Sequence, residues 1–305
     1  MGFSATSKIT IRKFRRGELL DAFKLVIKSA NHLRVKNGRK PWDLTIDEVP
    51  AINYHLFDTD PDGTFGAYSK GKLVGYTAAL LRGRQWYLAY LFVDPEFQLK
   101  GVGRKLLEHA WKYAAGKINS RALCTFPYNE AALALYSSFG MMPTSPILEM
   151  VANFDGKNKA GPTKLRIEED DSRNSIIRIN GLERFIRGYC HLVDLEFFAS
   201  DPKHKIYQFY RGREWVGYAV VGNNRLIAPA GATEPNYLPE IITGAYNRCL
   251  ESKSDYCRIW IGGPNAIAYK RAIDLGFQIS EMTAFLSTRP YGDFSRYCPA
   301  HLAIF

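Results

Sequence analysis

Apolar and polar residues alternate from Lys8 to Phe14, the period-two pattern of a strand with one buried face. At Leu19–Ile27 the apolar spacing changes to that of a helix. Lys28–Trp42, with Lys28, Arg34, Lys36, Arg39 and Lys40, predicts a basic loop, and a second short helix is expected near Thr45–Tyr54. Thr64–Tyr68 and Leu73–Leu81 read as strands joined by the hairpin signal Ser69-Lys70-Gly71-Lys72, and Gln85–Val93 continues the antiparallel series. A helix from near Arg104 to about Ala115, a strand at Ala122–Phe126, a helix at Asn129–Phe139 and a strand around Ile147–Val151 follow. Asp58–Gly63, D-T-D-P-D-G, is read as a turn, because the register and terminal glutamate of a calcium loop are missing.

The second half repeats the first. Val74-Gly75-Tyr76, after a basic hairpin turn, recurs as Val216-Gly217-Tyr218 after Arg211-Gly212-Arg213. Asn129 precedes Gly140 by the same interval that separates Asn265 from Gly276. A repeat about one domain long in a chain of 305 residues implies duplication rather than a solenoid. Asp155–Pro162, polar and rich in breakers, reads as a linker. The expected organisation is a domain over 1–152, a linker over 153–163 and a second domain over 164–305.

Candidate chemistry concentrates in Tyr87–Leu107. An apolar strand from Leu88 to Val93 runs through Asp94-Pro95 into Gln98-Leu99-Lys100-Gly101-Val102-Gly103 and then a helix starting near Arg104. The first N–H groups of a helix have no partner inside it, and the peptide dipoles favour negative charge there, so this loop is suited to an anion. Leu106 stands where a dinucleotide fingerprint needs its third glycine, and the G-K-[ST] of a nucleoside triphosphate loop is absent.

The Q-x-x-G-x-G loop after V-D-P-E, with Asn129-x-x-Ala132-x-x-x-Tyr136-x-x-x-Gly140 downstream, resembles the GCN5-related N-acetyltransferases (GNAT). The order of elements in both halves is similar to theirs. The resemblance implies two tandem α/β folds, each a mixed, mostly antiparallel sheet flanked by helices. It further implies that the amides of Gln98, Leu99, Lys100, Gly101, Val102, Gly103 and Arg104 hold the pyrophosphate of acetyl-CoA. The strand Leu91, Phe92 and Val93 would take the acyl-pantetheine arm, with the Val93 N–H on the thioester carbonyl, and Asn129 would line the arm. Tyr136 would be the general acid that protonates the leaving thiolate, a phenol facing a thiol of lower pKa. Met141 replaces the family's usual Phe. No general base can be read: Tyr87–Val93 contains no acid, Asp94 and Glu96 read as turn residues, and His109 as a surface or packing residue.

The second half lacks this apparatus. Ala272 stands at the position of the tyrosine, and Ala228–Pro239 carries three prolines and Glu234 where the phosphate loop would be. The second domain is therefore expected to be a degenerate copy that supports the first, with Tyr291, Asp293, Arg296 and Tyr297 as candidates for one wall of the acceptor pocket.

Composition narrows the setting. The net charge of +11 falls mainly in the first half, where 21 Lys and Arg oppose 13 Asp and Glu over residues 1–152. Such a surface attracts polyanions, among them coenzyme A, and leaves nucleic acid as a less favoured partner. Five scattered cysteines without a C-x-x-C motif fit a reduced, cytoplasmic protein with no metal site. No apolar run approaches a membrane span, Met1–Thr10 lacks the apolar core of a signal peptide, and the short M-G-x-x-x-T pattern carries little weight. The expectation is a monomer with an internal pseudo-dimer, acting as an acetyl-CoA-dependent N-acetyltransferase on a primary amine. The rival readings are a non-catalytic acyl-CoA-binding regulatory module and a basic RNA-binding adaptor on an inherited fold.

Overall fold

The computed structural model describes residues 8–44, 46–114, 116, 118–155, 158–222, 225–252 and 255–305. The M-G-x-x-x-T pattern, Thr45 at the expected start of the second helix, Ala115 at the expected end of the third, and Gly156-Lys157 in the expected linker lie outside these residues. The chain divides into two compact units.

The first unit comprises Met1–Leu123 and Tyr128–Met141. Its elements run β1 (Ile9–Lys13), α1 (Leu19–Lys36), α2 (Ala51–Thr59), β2 (Thr64–Ser69), β3 (Lys72–Arg82), β4 (Gln85–Val93), α3 (Val102–Tyr113), β5 (Ser120–Thr125) and α4 (Glu130–Ser137). Strands β1 to β5 lie in sequence order, antiparallel except that β5 runs parallel to β4. Alternation along the strands feeds two cores. Tyr76 and Ala78 pack with Phe14 and with Leu19, Ala22, Leu25 and Val26 on the α1 side, while Val74 and Val93 pack with Val102 and Leu106 of α3.

Helix α1 is longer than its pattern predicts. Lys28, Arg34 and Lys36 ride on the helix rather than in a loop, because no breaker interrupts it before Asn37-Gly38. There Asn37 caps the end by donating to Leu33 O at 2.9 Å, and Gly38 takes a left-handed φ of 70°. Helix α2 starts later than expected: Pro50 is its N-cap, and a proline belongs at the start of a helix, not inside one.

The second unit comprises Cys124–Pro127 and Met142–Phe305. Its elements are β6 (Met142–Asn153), β7 (Arg166–Glu169), α5 (Arg173–Arg187), α6 (Leu192–Ser200), β8 (His204–Arg211), β9 (Glu214–Gly222), β10 (Leu226–Ala232), α7 (Leu238–Glu251), β11 (Tyr256–Gly262), α8 (Ala266–Asp274), β12 (Gln278–Ser287) and β13 (Tyr297–Cys298). From β7 to β12 this is the element order of β1 to β6, as the sequence repeat requires. The strands lie in the order β12-β6-β11-β10-β9-β8-β7, with β13 beside β10.

Strand β6, placed by sequence at the end of the first domain, pairs with β11 from Asn153 to Ile147 and with β12 from Val151 to Met142. The compact units therefore part at Met141, not at Ala152. The expected linker is also tied down: Gly161 N donates to Asn247 Oδ1 at 2.8 Å, and Asn247 Nδ2 donates to Gly161 O at 3.0 Å.

One buried carboxylate anchors the edge of the first unit. Asp60, beyond α2, accepts from Arg82 Nη1 at 2.5 Å, Leu81 N at 2.8 Å and the Tyr113 hydroxyl at 2.8 Å. Asp60→Ala leaves Arg82 buried without this partner and should destabilise the protein by about 3–5 kcal/mol. Urea unfolding measures it; a loss below about 1 kcal/mol, the range of an exposed pair, would show that this ion pair does not hold the edge.

Candidate active site

The site begins where β4 leaves β5. The two pair in parallel from Gln85–Ser120 to Leu88–Leu123 and no farther. On its other side β4 pairs with β3 along its length, with a register shift that makes Ala89 a bulge at the point where β5 departs. Asp94 N donates to Val74 O at 2.9 Å. Hydrogen-bonded pairs alternate in an antiparallel ladder, so Phe92 and Tyr90 aim their main-chain groups at β3, and Leu91 and Val93 aim theirs at the opposite edge. Of the three residues expected to meet a ligand with their backbone, Leu91 and Val93 turn their main-chain groups away from β3. Phe92 does not; its ring packs on the α1 side instead.

Two bonds hold this edge, one from α1 and one from the following loop. Val93 O accepts from Ser29 Oγ and from Gln98 Nε2, each at 3.0 Å. Gln98 therefore contributes through its side chain, as a strut, and its own N–H is turned to Pro95 O at 3.4 Å. Asp94 caps the short turn Pro95–Phe97 by accepting from Glu96 N at 3.1 Å, and its buried carboxylate meets Lys28 Nζ at 2.8 Å. Burial pushes the Asp94 pKa up, but the Lys28 and Glu96 hydrogen bonds outweigh it, and the group stays below the ordinary carboxylate range.

The loop then turns through two left-handed residues. Gly101 at φ 79° suits such a conformation, whereas Leu99 at φ 57° is held in it with its side chain in solvent. The first helical bond of α3 is Lys105 N to Gly101 O at 3.1 Å, and no side chain caps Gly101. The N–H groups of Val102, Gly103 and Arg104 thus point out of an uncapped helix start. Its first turn holds no acidic residue but carries Arg104 and Lys105, an arrangement the helix dipole disfavours until an anion binds. A Cβ on Gly103 would lie 3.7 Å from Leu135 and 3.8 Å from Val93, ordinary contacts, so internal packing does not demand glycine there.

Helix α4 flanks this start. Arg104 Nη2 donates to Ser138 Oγ at 3.1 Å, and its guanidinium lies 5.5 Å from the Phe139 ring. Lys100 instead turns back to Glu96 O at 2.7 Å. Asn129 is the N-cap of α4, accepting from Ala132 N at 3.2 Å with Oδ1, which leaves its amide group for other work. Tyr136, two turns on, is buried, and burial pushes its hydroxyl well above the ordinary phenol pKa. No described residue hydrogen-bonds to that hydroxyl, so it stays protonated and unengaged.

His109 bonds to Lys105 O at 2.7 Å and packs on Phe65, a packing residue as its position suggested. Sequence reading missed Ser29 and Lys28, because nothing in α1 announces contact with a strand more than sixty residues away. It also missed the pair formed by Tyr90, whose hydroxyl donates to Asn53 Oδ1 at 2.9 Å. Among the described residues, no group of three or more His, Cys, Asp or Glu side chains is placed to hold a metal ion, and no helix is long and apolar enough to cross a membrane.

The expected wall residues of the second half are spent inside the second unit. Tyr291 and Tyr297 are buried, and Arg296 pairs with Asp293 at 3.1 Å.

The Lys28–Asp94 pair gives a pH signature. A carboxylate held below its unfolded value of about 3.9 contributes stability above that pH and loses it as pH falls through the lower folded value. Stability measured from pH 5 to pH 3 should therefore fall more steeply for the wild type than for Asp94→Asn. Parallel curves would show that Lys28 does not hold this carboxylate ionised.

Residues 29–141 match the sequence profile of the Acetyltransferase (GNAT) family. Over 79 residues the chain is 39% identical to the N-alpha-acetyltransferase RimI of Mycobacterium tuberculosis (strain ATCC 25618 / H37Rv), covering 25% of this chain and 49% of that protein. The match thus spans about half the length of that relative. A candidate acetyltransferase from Pyrococcus horikoshii superimposes with a TM-score of 0.78 at 14% identity, over 100% of this chain and 98% of its own. A GCN5-related N-acetyltransferase from Sphaerobacter thermophilus gives 0.69 at 14% identity, covering 94% and 98%. A tandem GNAT protein from the clavulanic acid biosynthesis pathway gives 0.59 at 13% identity, covering 93% and 99%. At such identities the structural matches establish the fold alone.

Proposed function

We propose that this chain, which belongs to the GNAT acetyltransferase superfamily and carries two GNAT folds in tandem, transfers an acetyl group from acetyl-CoA to a primary amine through its first fold. The observation that carries this is the junction of an open strand edge with an uncapped, positively charged helix start. Gly101, Val102, Gly103 and Arg104 present N–H groups for a diphosphate, with Lys100 and Arg104 adding charge beside them. The outward edge of Leu91 and Val93 suits the amide-bearing pantetheine arm, which can pair with it as a strand would.

Acetyl-CoA supplies an activated acyl group that a neutral amine can take. The Val93 N–H, turned outward, stabilises the charge that develops on the carbonyl oxygen. Tyr136 donates its proton to the departing sulfur; burial keeps the hydroxyl protonated for that purpose. The amine's proton leaves through solvent and restores the Tyr136 phenol, since Asp94 is a poor acceptor for it with Lys28 and Glu96 N already on its carboxylate. That occupation favours a second reading, an acyl-CoA-binding module without turnover, which steady-state kinetics on a panel of amines would separate from the first by free thiol release.

Two variants test the site. Gly101→Glu brings a bulky anion into the cradle at a left-handed φ of 79° and should abolish acetyl-CoA binding in calorimetry, whereas Gly101→Asn, tolerated in that conformation, should keep most of it. Unchanged binding by the glutamate variant would remove the loop from the site. Tyr136→Phe keeps the ring and should leave acetyl-CoA affinity nearly unchanged while lowering kcat by roughly 10²-fold or more. A kcat near wild type would make Tyr136 a core residue only.

A further inference from the structure

The second unit contains the same strand edge, and it is already occupied. Thr233 N donates to Val216 O at 2.9 Å, the counterpart of Asp94 N to Val74 O, so Ala230 and Ala232 are the equivalents of Leu91 and Val93. As β4 does from β5, β10 leaves its parallel neighbour early, after pairing Leu226 with Arg258 and Ile227 with Ile259. Beyond that point β13 lies antiparallel along the vacated edge. Ala230 pairs with Cys298 and Gly231 with Tyr297, and Ala232 N donates to Arg296 O at 2.9 Å.

The segment that carries β13 is bound tightly. Tyr297, Cys298, Ala300, Ala303, Ile304 and Phe305 are all buried. Phe305 stacks on Phe285 with ring centroids 4.6 Å apart, and its carbonyl accepts from the Tyr189 hydroxyl at 3.0 Å. The Tyr297 hydroxyl accepts from Arg187 Nη1 at 2.8 Å, and Arg187 is in turn 3.1 Å from Glu183, both fully inside the unit. The helix start that would face a diphosphate here is α7, preceded by Pro235, carrying Pro239 in its first turn, and without glycine.

We propose that residues 291–305 occupy, at the β10 edge of the second fold, the place that the acyl-pantetheine arm takes at the β4 edge of the first. The second fold is thereby closed to acyl-CoA by its own chain: the N–H groups of Ala230 and Ala232, which would meet a pantetheine amide or a thioester carbonyl, are spent on β13. The comparison with the first fold rests on the reading of the β4 edge as the acyl site.

Hydrogen exchange on the full-length protein, read by mass spectrometry with and without acetyl-CoA, tests this. Residues 228–232 and 296–299 should be protected before acetyl-CoA is added and unchanged by it, while the amides of Leu91 and Val93 and those of 99–104 should exchange freely and gain protection on its addition. Tyr297→Phe, which removes the hydroxyl bonded to Arg187, should speed exchange at 228–232 by about tenfold or more and leave 89–93 as in the wild type. Resting exchange at 228–232 as fast as at 89–93, or protection there that appears only with acetyl-CoA, would overturn the proposal. If acetyl-CoA protects neither 89–93 nor 99–104 while 228–232 is protected at rest, the reading of the first fold fails and the sealing of the second stands.

Discussion

The bond from Asp94 N to Val74 O decides which main-chain groups of β4 belong to the sheet and which face out. Were the register one residue different, Phe92 and Tyr90 would face the open edge and Leu91 and Val93 would pair with β3. The polar groups around Asp94 defend that register. Its carboxylate is pinned by Lys28 of α1 and Glu96 N, and the carbonyl before it is held by Ser29 and Gln98. Helix α1 thus braces the far end of β4, which the parallel strand has abandoned. The bulge at Ala89 serves the same geometry from the other end, by letting β4 bend away where β5 stops.

Much of this was legible in the chain. Alternation at Lys8–Phe14 and the apolar runs beyond it located strands, the hairpin glycines placed the turns, and Gly101, Asn129 and Tyr136 each answer a local demand. Gly101 sits at a left-handed φ, Asn129 caps a helix, and Tyr136 is buried on α4. What sequence could not show depends on tertiary contact. Gln98 belongs to the loop motif, yet its side chain is a strut to Val93 O, a bond that only the folded turn brings into reach. The basic run after Ile27 looked like a loop because charge obscured a helix whose polar face is solvated, and its true end is the Asn37-Gly38 cap.

The placement of β6 shows the same limit at the level of domains. Its apolar run from Ile147 to Val151 announces a strand, but no local signal states which neighbours it joins. Ile147, Met150 and Ala152 are buried, and both edges of the strand are satisfied within the second unit. A cut in the stretch 153–163 would therefore sever β6 from β11 and β12 rather than separate two self-sufficient pieces. A fragment ending there would carry an orphaned apolar strand.

An unpaired strand edge is a hazard, since its free N–H and C=O groups can recruit another chain. In the first unit the outward main-chain groups of Leu91 and Val93 lie beside a charged loop. The second unit has neither the glycines of that loop nor a tyrosine at the matching place on its last helix, yet it has the same register through Thr233 N and Val216 O and hence the same outward groups. Covering them with β13 satisfies the backbone, and Tyr297 and Phe305 bury apolar surface in the same stroke.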